Sequence, residues 1–156
     1  MERATGKSLR AYIRSRLLRS RRAGDFVVAR TGVGLRLPDE VSGYDSVDAG
    51  PSMLDTSGVW APGAYGGSFA LEPCPGAGGF ATSVTTVARF IGNHAVWDLG
   101  ARVANTRYGD LHGAATIAHS RDSGLDIAVA FNWWVPDDAK TQLRDRIGPI
   151  LDAGMI

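Results

Sequence analysis

Three histidines and one cysteine are the side chains of this sequence that most often bind metals or attack substrates: His94, His112, His119 and Cys74. Zinc sites place ligands at close spacings such as Cys-x-x-Cys or His-x-x-x-His, and neither occurs here. Cys74 lies between two prolines in EPCPGAGG, where no neighbour favours a thiolate, so we interpret it as an ordinary loop residue. The sequence therefore predicts no metal site and no cofactor.

Two other patterns carry the letters of known chemistry. A Ser/His/Asp set could be drawn from His119, Ser120 and Asp122. Adjacent residues of a strand point to opposite faces, so we expect His119 and Ser120 not to meet. The Gly-Lys-Ser at 6–8 lacks the first glycine of a phosphate-binding loop and the strand that should precede it. Neither pattern predicts a site.

Hydrophobic periodicity predicts the elements that position these residues. Helices are expected over 6–20, after a cap at Thr82 or Ser83, and over about 138–152 with Asp137 as the cap. Strands are expected at 26–30, 34–37, 96–107, 114–120 and 125–134, the last covered on both faces, with a turn at 121–124. Of the adjacent Trp133 and Trp134, we expect one inside and one outside. The remainder of 23–78 indicates a long, loop-rich excursion.

This order predicts an α+β fold, an antiparallel sheet flanked by helices, in one domain spanning 1–156. Eight of the 17 basic residues lie within 1–22, although the net charge is only +1. Without interleaved aromatic residues, this basic stretch favours the solvated face of a helix over a nucleic-acid contact. Because no run of 18 apolar residues and no signal peptide occur, we expect no transmembrane segment and a cytoplasmic location for the chain as written.

Four stretches together resemble the β-lactamase-related serine hydrolases, the family of class C β-lactamases, penicillin-binding proteins, D-alanyl-D-alanine carboxypeptidases and related esterases. They are ERATGKSLRAYIRSRLL, AYGGSFALE with GAGGFATSVTTVARF, HGAATIAHSRDSGLDIAVAFNWW, and PDDAKTQLRDRIGPILDA. In this order, the four stretches together cover most of the 156 residues. The resemblance implies a partial β-lactamase/transpeptidase-like fold that corresponds to the C-terminal half of the family.

Two of the family's three catalytic elements find no good match. A Ser-x-x-Lys, whose lysine helps to deprotonate the serine, is absent, since alanine and aspartate stand three residues before Lys7 and Lys140. The Tyr-x-Asn or Tyr-x-Ser element matches only Tyr44-Asp45-Ser46. That match lies in the long loop, after the opening stretch that normally follows the motif. The resemblance implies that the serine, lysine and tyrosine belong to the missing half.

The third element, Lys-Thr-Gly or His-x-Gly on an edge strand, has its best match around His112. The resemblance makes His112 the basic residue, with Gly113, Ala114 and Ala115 lining the substrate and oxyanion side, and the N–H of Ala114 or Ala115 as the donor. The stretch from His112 to the turn at Gly124 is several residues shorter than is usual. Either a loop has been deleted, or Gly113 matches a later glycine of the family and His112 is incidental.

The resemblance thus implies a fragment of a hydrolase of ester, amide or β-lactam bonds that does not catalyse alone. A truncated gene product, a mis-assigned start or one piece of a split protein would each give this pattern. Two alternatives stay open: a hydrolase with an unorthodox nucleophile or one completed by another chain, and a non-enzymatic binding module. The expected partners are a small acyl, ester or β-lactam ligand, a complementary N-terminal half, or a second copy paired through an exposed sheet edge.

Overall fold

The computed structural model describes residues 2–16, 25–43, 49–54, 56–95, 101–111 and 113–154. Within these ranges lie four helices: α1 (Glu2–Thr5), α2 (Leu9–Arg16), α3 (Val84–Ile91) and α4 (Asp137–Asp152). Seven strands, all paired antiparallel, accompany them, which confirms the predicted mixture of helices and antiparallel sheet. None of the helices in the described ranges is both long and apolar enough to cross a bilayer.

Two short strand pairs precede the main sheet. They are β1 (Val27–Val28) with β4 (Phe80–Ala81), and β2 (Gly50–Pro51) with β3 (Trp60–Ala61). The strand predicted at 34–37 is wrong, because Val33–Leu35 forms a 3-10 turn closed by the Leu35 N–H on the Gly32 carbonyl at 2.8 Å. Strand β1 also covers only part of the predicted 26–30. Local β propensity did not suffice where the described chain offers no adjacent strand to pair with.

The helix predicted at 6–20 begins later, because Ser8 starts it. The Ser8 carbonyl accepts the Tyr12 N–H at 2.9 Å, and the Ser8 hydroxyl accepts the Ala11 N–H at 3.3 Å. The apolar side of α2 then delivers Ile13 to a small core around Phe26, which is only 9% exposed. Residues 17–20 of the predicted helix lie outside the described residues.

Helix α3 begins as predicted, at the hydroxyl cap of Ser83, which accepts the Thr86 N–H at 3.2 Å. Asp25 reinforces this end by accepting the Ser83 N–H and the Thr86 hydroxyl, both at 2.8 Å. Burial opposes the charge of Asp25, but these hydrogen bonds prevail and lower its pKa to about 2. The loop before β1 is thereby tied to the first turn of α3, next to the Phe26 core.

The main sheet has three strands in the order β5 (Asn105–Leu111), β6 (Ala114–Ser120) and β7 (Asp126–Phe131). Strand β6 is central, and its Ala115, Ile117 and Ser120 are buried. Helix α3 packs against β7 and β6, and α4 contacts β6. The predicted turn at 121–124 is confirmed between β6 and β7. Strand β7 lies at an edge among the described strands, is half-buried, and is shorter than the predicted 125–134, so the expectation of a strand covered on both faces is wrong.

The strand predicted at 96–107 is wrong over its described first part, since β5 starts only at Asn105. Arg102 instead crosses the end of the sheet, where its Nε donates to Asp126 at 2.9 Å and its Nη2 donates to the Arg121 carbonyl at 2.6 Å. This use of the side chain explains why 101–104 leaves the ladder. Trp97 and Leu99, which the predicted strand would place on one face, lie outside the described residues.

Helix α4 matches its predicted span, with one correction at its start. Asp137 is the first helical residue, and its carboxylate contacts the Lys140 ammonium at 2.8 Å instead of capping a backbone N–H.

Trp133 and Trp134, which precede α4, are 56% and 55% exposed, so the expectation that one packs inward is wrong. Strand β7 ends at Phe131, and the alternation of a strand therefore no longer applies to the two tryptophans.

Candidate functional site

The turn between β5 and β6 is where the sequence analysis located its main candidate residues. The ladder closes on the pair Leu111 and Ala114, and Gly113 adopts a left-handed φ of 72° that favours glycine. Gly113 and Ala115 are buried and Ala114 is half-buried. His112, the predicted basic residue, lies outside the described residues. The structure therefore brings Gly113, Ala114 and Ala115 together at one end of the sheet.

Tyr44, the tyrosine candidate, and the rest of its Tyr-Asp-Ser triplet also lie outside the described residues. Its neighbour Gly43 is described and packs directly against the turn. A Cβ added to Gly43 would lie 2.7 Å from the Gly113 carbonyl oxygen, so the two backbones meet with no room for a side chain. The chain leading to Tyr44 and the chain leaving His112 thus touch, which the sequence did not indicate.

A buried lysine fixes the other side of this turn. The Lys140 side chain is 0% exposed, and its Nζ donates to both Asp110 carboxylate oxygens at 2.6 Å. Burial opposes its charge, but hydrogen bonds to Asp110 and Asp137 raise the pKa of Lys140 above its ordinary value. The ammonium is therefore protonated near neutral pH and cannot act as a base. Its position joins α4 to the last residues of β5.

Tyr108 and Thr141 extend the same contact. The Lys140 ammonium lies 5.6 Å from the centre of the Tyr108 ring, and the Tyr108 hydroxyl lies 3.0 Å from the Thr141 hydroxyl. Among the described strands β5 lies at an edge of the sheet, and these side chains attach it to α4. We call Lys140, Asp110, Asp137, Tyr108 and Thr141 the helix clamp.

The set His119, Ser120 and Asp122 does not form a triad. His119 Nδ1 lies 2.7 Å from the Thr106 hydroxyl, whereas the Ser120 hydroxyl donates to the Ile91 carbonyl at 3.3 Å from the other face of β6. Asp122 is exposed in the following turn. The expectation that adjacent strand residues diverge is confirmed.

A polar cavity of about 360 Å³ opens at the end of the sheet opposite the Gly113 turn. It is lined by Ala104, Asn105, Thr106, His119, Ser120, Arg121, Asp122 and Ser123. The basic lining residue is already engaged, since Arg121 donates to both Asp152 oxygens, at 2.8 and 2.5 Å. Six ladder positions, roughly 20 Å of strand, separate this cavity from the turn. It therefore does not contribute to the candidate site.

His119 should make the stability of the sheet depend on pH. Burial has the largest effect and lowers the pKa of His119. A hydrogen bond with the Asn105 backbone opposes it, the charges of Arg144 and Arg121 lower the pKa further, and the charge of Asp145 raises it. The folded state then binds the proton less readily than the unfolded state, so stability is complete above the ordinary pKa near 6.5 and falls as pH drops below it. Urea unfolding between about pH 8 and about pH 5 measures this slope.

The matched variant is His119→Asn, whose side-chain oxygen can accept the Thr106 hydroxyl at the position of Nδ1. It has no proton to bind, so the part of the slope below pH 6.5 that His119 contributes should disappear. An unchanged slope in the variant would show that other groups produce the pH dependence.

Two residues near the turn were missed by the sequence analysis. Tyr65 does not begin a Tyr-x-Asn or Tyr-x-Ser element, because glycines occupy the next two positions. Its hydroxyl accepts the Gly43 N–H at 2.7 Å and donates to the Gly43 carbonyl at 3.3 Å. Arg36 lies over its ring, with the guanidinium carbon 4.6 Å from the centre. No local signal marks Tyr65, because its partner Gly43 lies 22 residues away, and the contact of Arg36 with the Tyr65 ring is equally remote in sequence.

No family model matches the chain. Within the described ranges, no three His, Cys, Asp or Glu side chains are grouped so as to hold a metal ion. The resemblance to the β-lactamase-related hydrolases therefore stays a prediction, and it has to be tested by experiment.

Proposed function

We propose that the chain is the sheet-bearing half of a β-lactamase-related serine hydrolase, and that it forms one wall of an acyl-transfer cleft without acylating by itself. The observation that carries the proposal is the braced β5–β6 turn. Strand β5 ends at Leu111, the helix clamp holds its last residues against α4, and the Gly43 backbone lies against Gly113. A backbone N–H that polarises the carbonyl of a substrate must be held rigidly in place, and these contacts provide such support.

Burial distinguishes between the two predicted oxyanion donors, the backbone N–H groups of Ala114 and Ala115. Ala115 has no exposed surface and belongs to the centre of the sheet, whereas Ala114 is half-buried at the turn. The proposal therefore uses the Ala114 N–H as the oxyanion donor, with His112 beside it as the basic group for a substrate carboxylate. The substrate class is a small ester, amide or β-lactam. A complementary chain or segment would supply the serine and its base.

Because the sequence lacks a Ser-x-x-Lys nucleophile, the proposal can be tested with reagents that acylate or phosphonylate an active-site serine. Neither Lys7 nor Lys140 follows a serine at the spacing of one helical turn, and Lys140 is engaged by two carboxylates. We expect no covalent adduct when the folded chain is incubated with a fluorophosphonate probe or, separately, with benzylpenicillin. Intact-mass spectrometry measures this directly. A stoichiometric adduct on one residue would contradict the proposal and identify an active hydrolase with an unorthodox nucleophile.

A non-enzymatic interaction module is the second candidate, favoured by apolar side chains on the surface of the excursion. The large exposed ones there are Val33, Leu35, Leu37, Val41, Met53, Leu54, Val59 and Trp60. Exposed apolar side chains are typical of protein contacts, and β5 has one partner strand within the described ranges. The predicted pairing with a second copy would use this strand edge. A monodisperse monomer in light scattering would count against that pairing.

A further inference from the structure

Arg36 organises the surface loop 36–43 although the loop contains no helix or strand. Its side chain is only 10% exposed. It donates three hydrogen bonds within the loop: Nε to Glu40 at 3.0 Å, Nη2 to the Val41 carbonyl at 2.6 Å and Nη1 to the Ser42 hydroxyl at 3.1 Å. Charge-assisted bonds of this kind hold a loop in one conformation. The loop therefore reaches Gly43 with its path already determined.

Tyr65 receives the end of this loop. It closes the 3-10 turn Gly63–Tyr65, and its ring lies under the Arg36 guanidinium. The hydroxyl both accepts from the Gly43 N–H and donates to the Gly43 carbonyl, at 2.7 and 3.3 Å. The Tyr65 hydroxyl thus bonds both the N–H and the carbonyl of Gly43, which has no side chain of its own. These two bonds hold Gly43 at the end of the loop that Arg36 organises.

Gly43 in turn bears on the Gly113 turn. Its missing Cβ would lie 2.7 Å from the Gly113 oxygen and 3.2 Å from the Gly113 carbonyl carbon. That carbonyl belongs to the peptide whose N–H is donated by Ala114. No side chain fits between the two backbones, so a shift of Gly43 toward the turn would displace the Gly113 carbonyl and with it the Gly113–Ala114 peptide.

We propose that Tyr65 is a positioning residue, which acts through Gly43 to orient the Gly113–Ala114 peptide and its N–H. This inference rests on the proposed function for its purpose, but the physical coupling between Tyr65 and Gly113 can be measured without it. The chemistry that the peptide would recognise is the carbonyl oxygen of an ester, amide or β-lactam. Tyr65 itself does not contact the substrate.

Tyr65→Phe removes the hydroxyl and keeps the ring under Arg36, and Tyr12→Phe is the matched control on α2. In amide NMR spectra of the isotope-labelled chain, Tyr65→Phe should shift the Gly43 and Gly113 resonances. It should also speed hydrogen exchange at Gly43 and at Ala114 by about tenfold, the effect of one lost hydrogen bond. Tyr12→Phe should leave these amides unchanged. A shift at Gly43 without any change at Gly113 or Ala114 would overturn the inference.

Gly43→Ala provides a second route to the same peptide with the Tyr65 hydroxyl intact. Its methyl group must displace the Gly113 carbonyl, so the Gly113 and Ala114 resonances should shift again. If they do not move, the backbones are not coupled and the inference fails.

Titration with benzylpenicillin separates this inference from the proposed function. We expect the ligand to shift the Ala114 amide of the unmodified chain, and Tyr65→Phe to weaken that binding by about tenfold. If the unmodified chain shows no ligand shift, the proposed function fails, while a Tyr65-dependent Gly113 shift still supports the coupling. If the ligand binds both chains equally, Tyr65 is structural only and the positioning role is wrong.

Discussion

Replacing Lys140 with alanine is expected to lower the free energy of unfolding by about 3 kcal/mol, the lower end for breaking a buried ion pair. The side chain is completely buried, so the substitution removes both the packing of its stem and the charge that Asp110 contacts. The lower end applies because Asp110 and Asp137 are 38% and 78% exposed, and water can solvate their carboxylates. Urea unfolding followed by circular dichroism measures the loss.

Lys140→Met separates packing from charge, since methionine retains most of the stem. We expect it to cost about 1 kcal/mol, because only the hydrogen bonds to the carboxylates are lost. Asp110→Asn combined with Lys140→Met in a double-mutant cycle then gives the coupling between the two side chains. If Lys140→Ala stayed within about 0.5 kcal/mol of the unmodified chain, the helix clamp would not support β5.

The clamp illustrates what the sequence could and could not predict. Apolar spacing located α4 within one residue of its observed start, although the buried residues of the helix are Lys140 and Gly148 and the apolar Ile150 is 42% exposed. It gave no reason to bury Lys140, since a lysine in an amphipathic helix is normally solvated. Burial of Lys140 requires Asp110 on another element, and only the folded chain brings the two together.

The strands also differ in how well the sequence predicted them. Strand β6 was predicted within its observed bounds, because a central strand buries apolar residues such as Ile117. Strand β5, with the sequence NTRYGDL, has little apolar alternation, and the prediction favoured the more apolar residues before it. Its strand state comes from pairing with β6, which is a tertiary effect that local sequence does not encode. The candidate site lies at the end of this poorly predicted strand.

The parts of the site that could not be predicted depend on contacts between remote segments. Gly113 was identified through the resemblance to the family's His-x-Gly element, and in the structure its left-handed φ of 72° suits the turn between β5 and β6. Gly43 and Tyr65 were not, since neither carries a motif and their significance arises from the approach of loop 36–43 to the turn. Glycine without a local turn signal is uninformative until the backbone beside it is known.

Phe26→Ala is expected to produce the largest loss of stability, about 4 kcal/mol, within the range for emptying a buried aromatic site. The Phe26 ring stacks on Phe80 with centroids 4.5 Å apart. Ile13 from α2 and Phe90 from α3 pack against the same ring, so four segments meet at this residue. The loss should appear as a lower urea midpoint with an unchanged dependence on urea, measured by circular dichroism.

Phe26→Leu is the matched control, because leucine keeps apolar contact but not the stacked ring. It should cost less than half as much, since volume-conserving exchanges usually cost under about 1.5 kcal/mol. An equal loss in both variants would mean that the stacking with Phe80, and not the filled volume, holds this core together. A loss below about 1.5 kcal/mol for alanine would mean that the site collapses or fills with water. In that case α2 and α3 would have to be joined by contacts other than those made by the Phe26 ring.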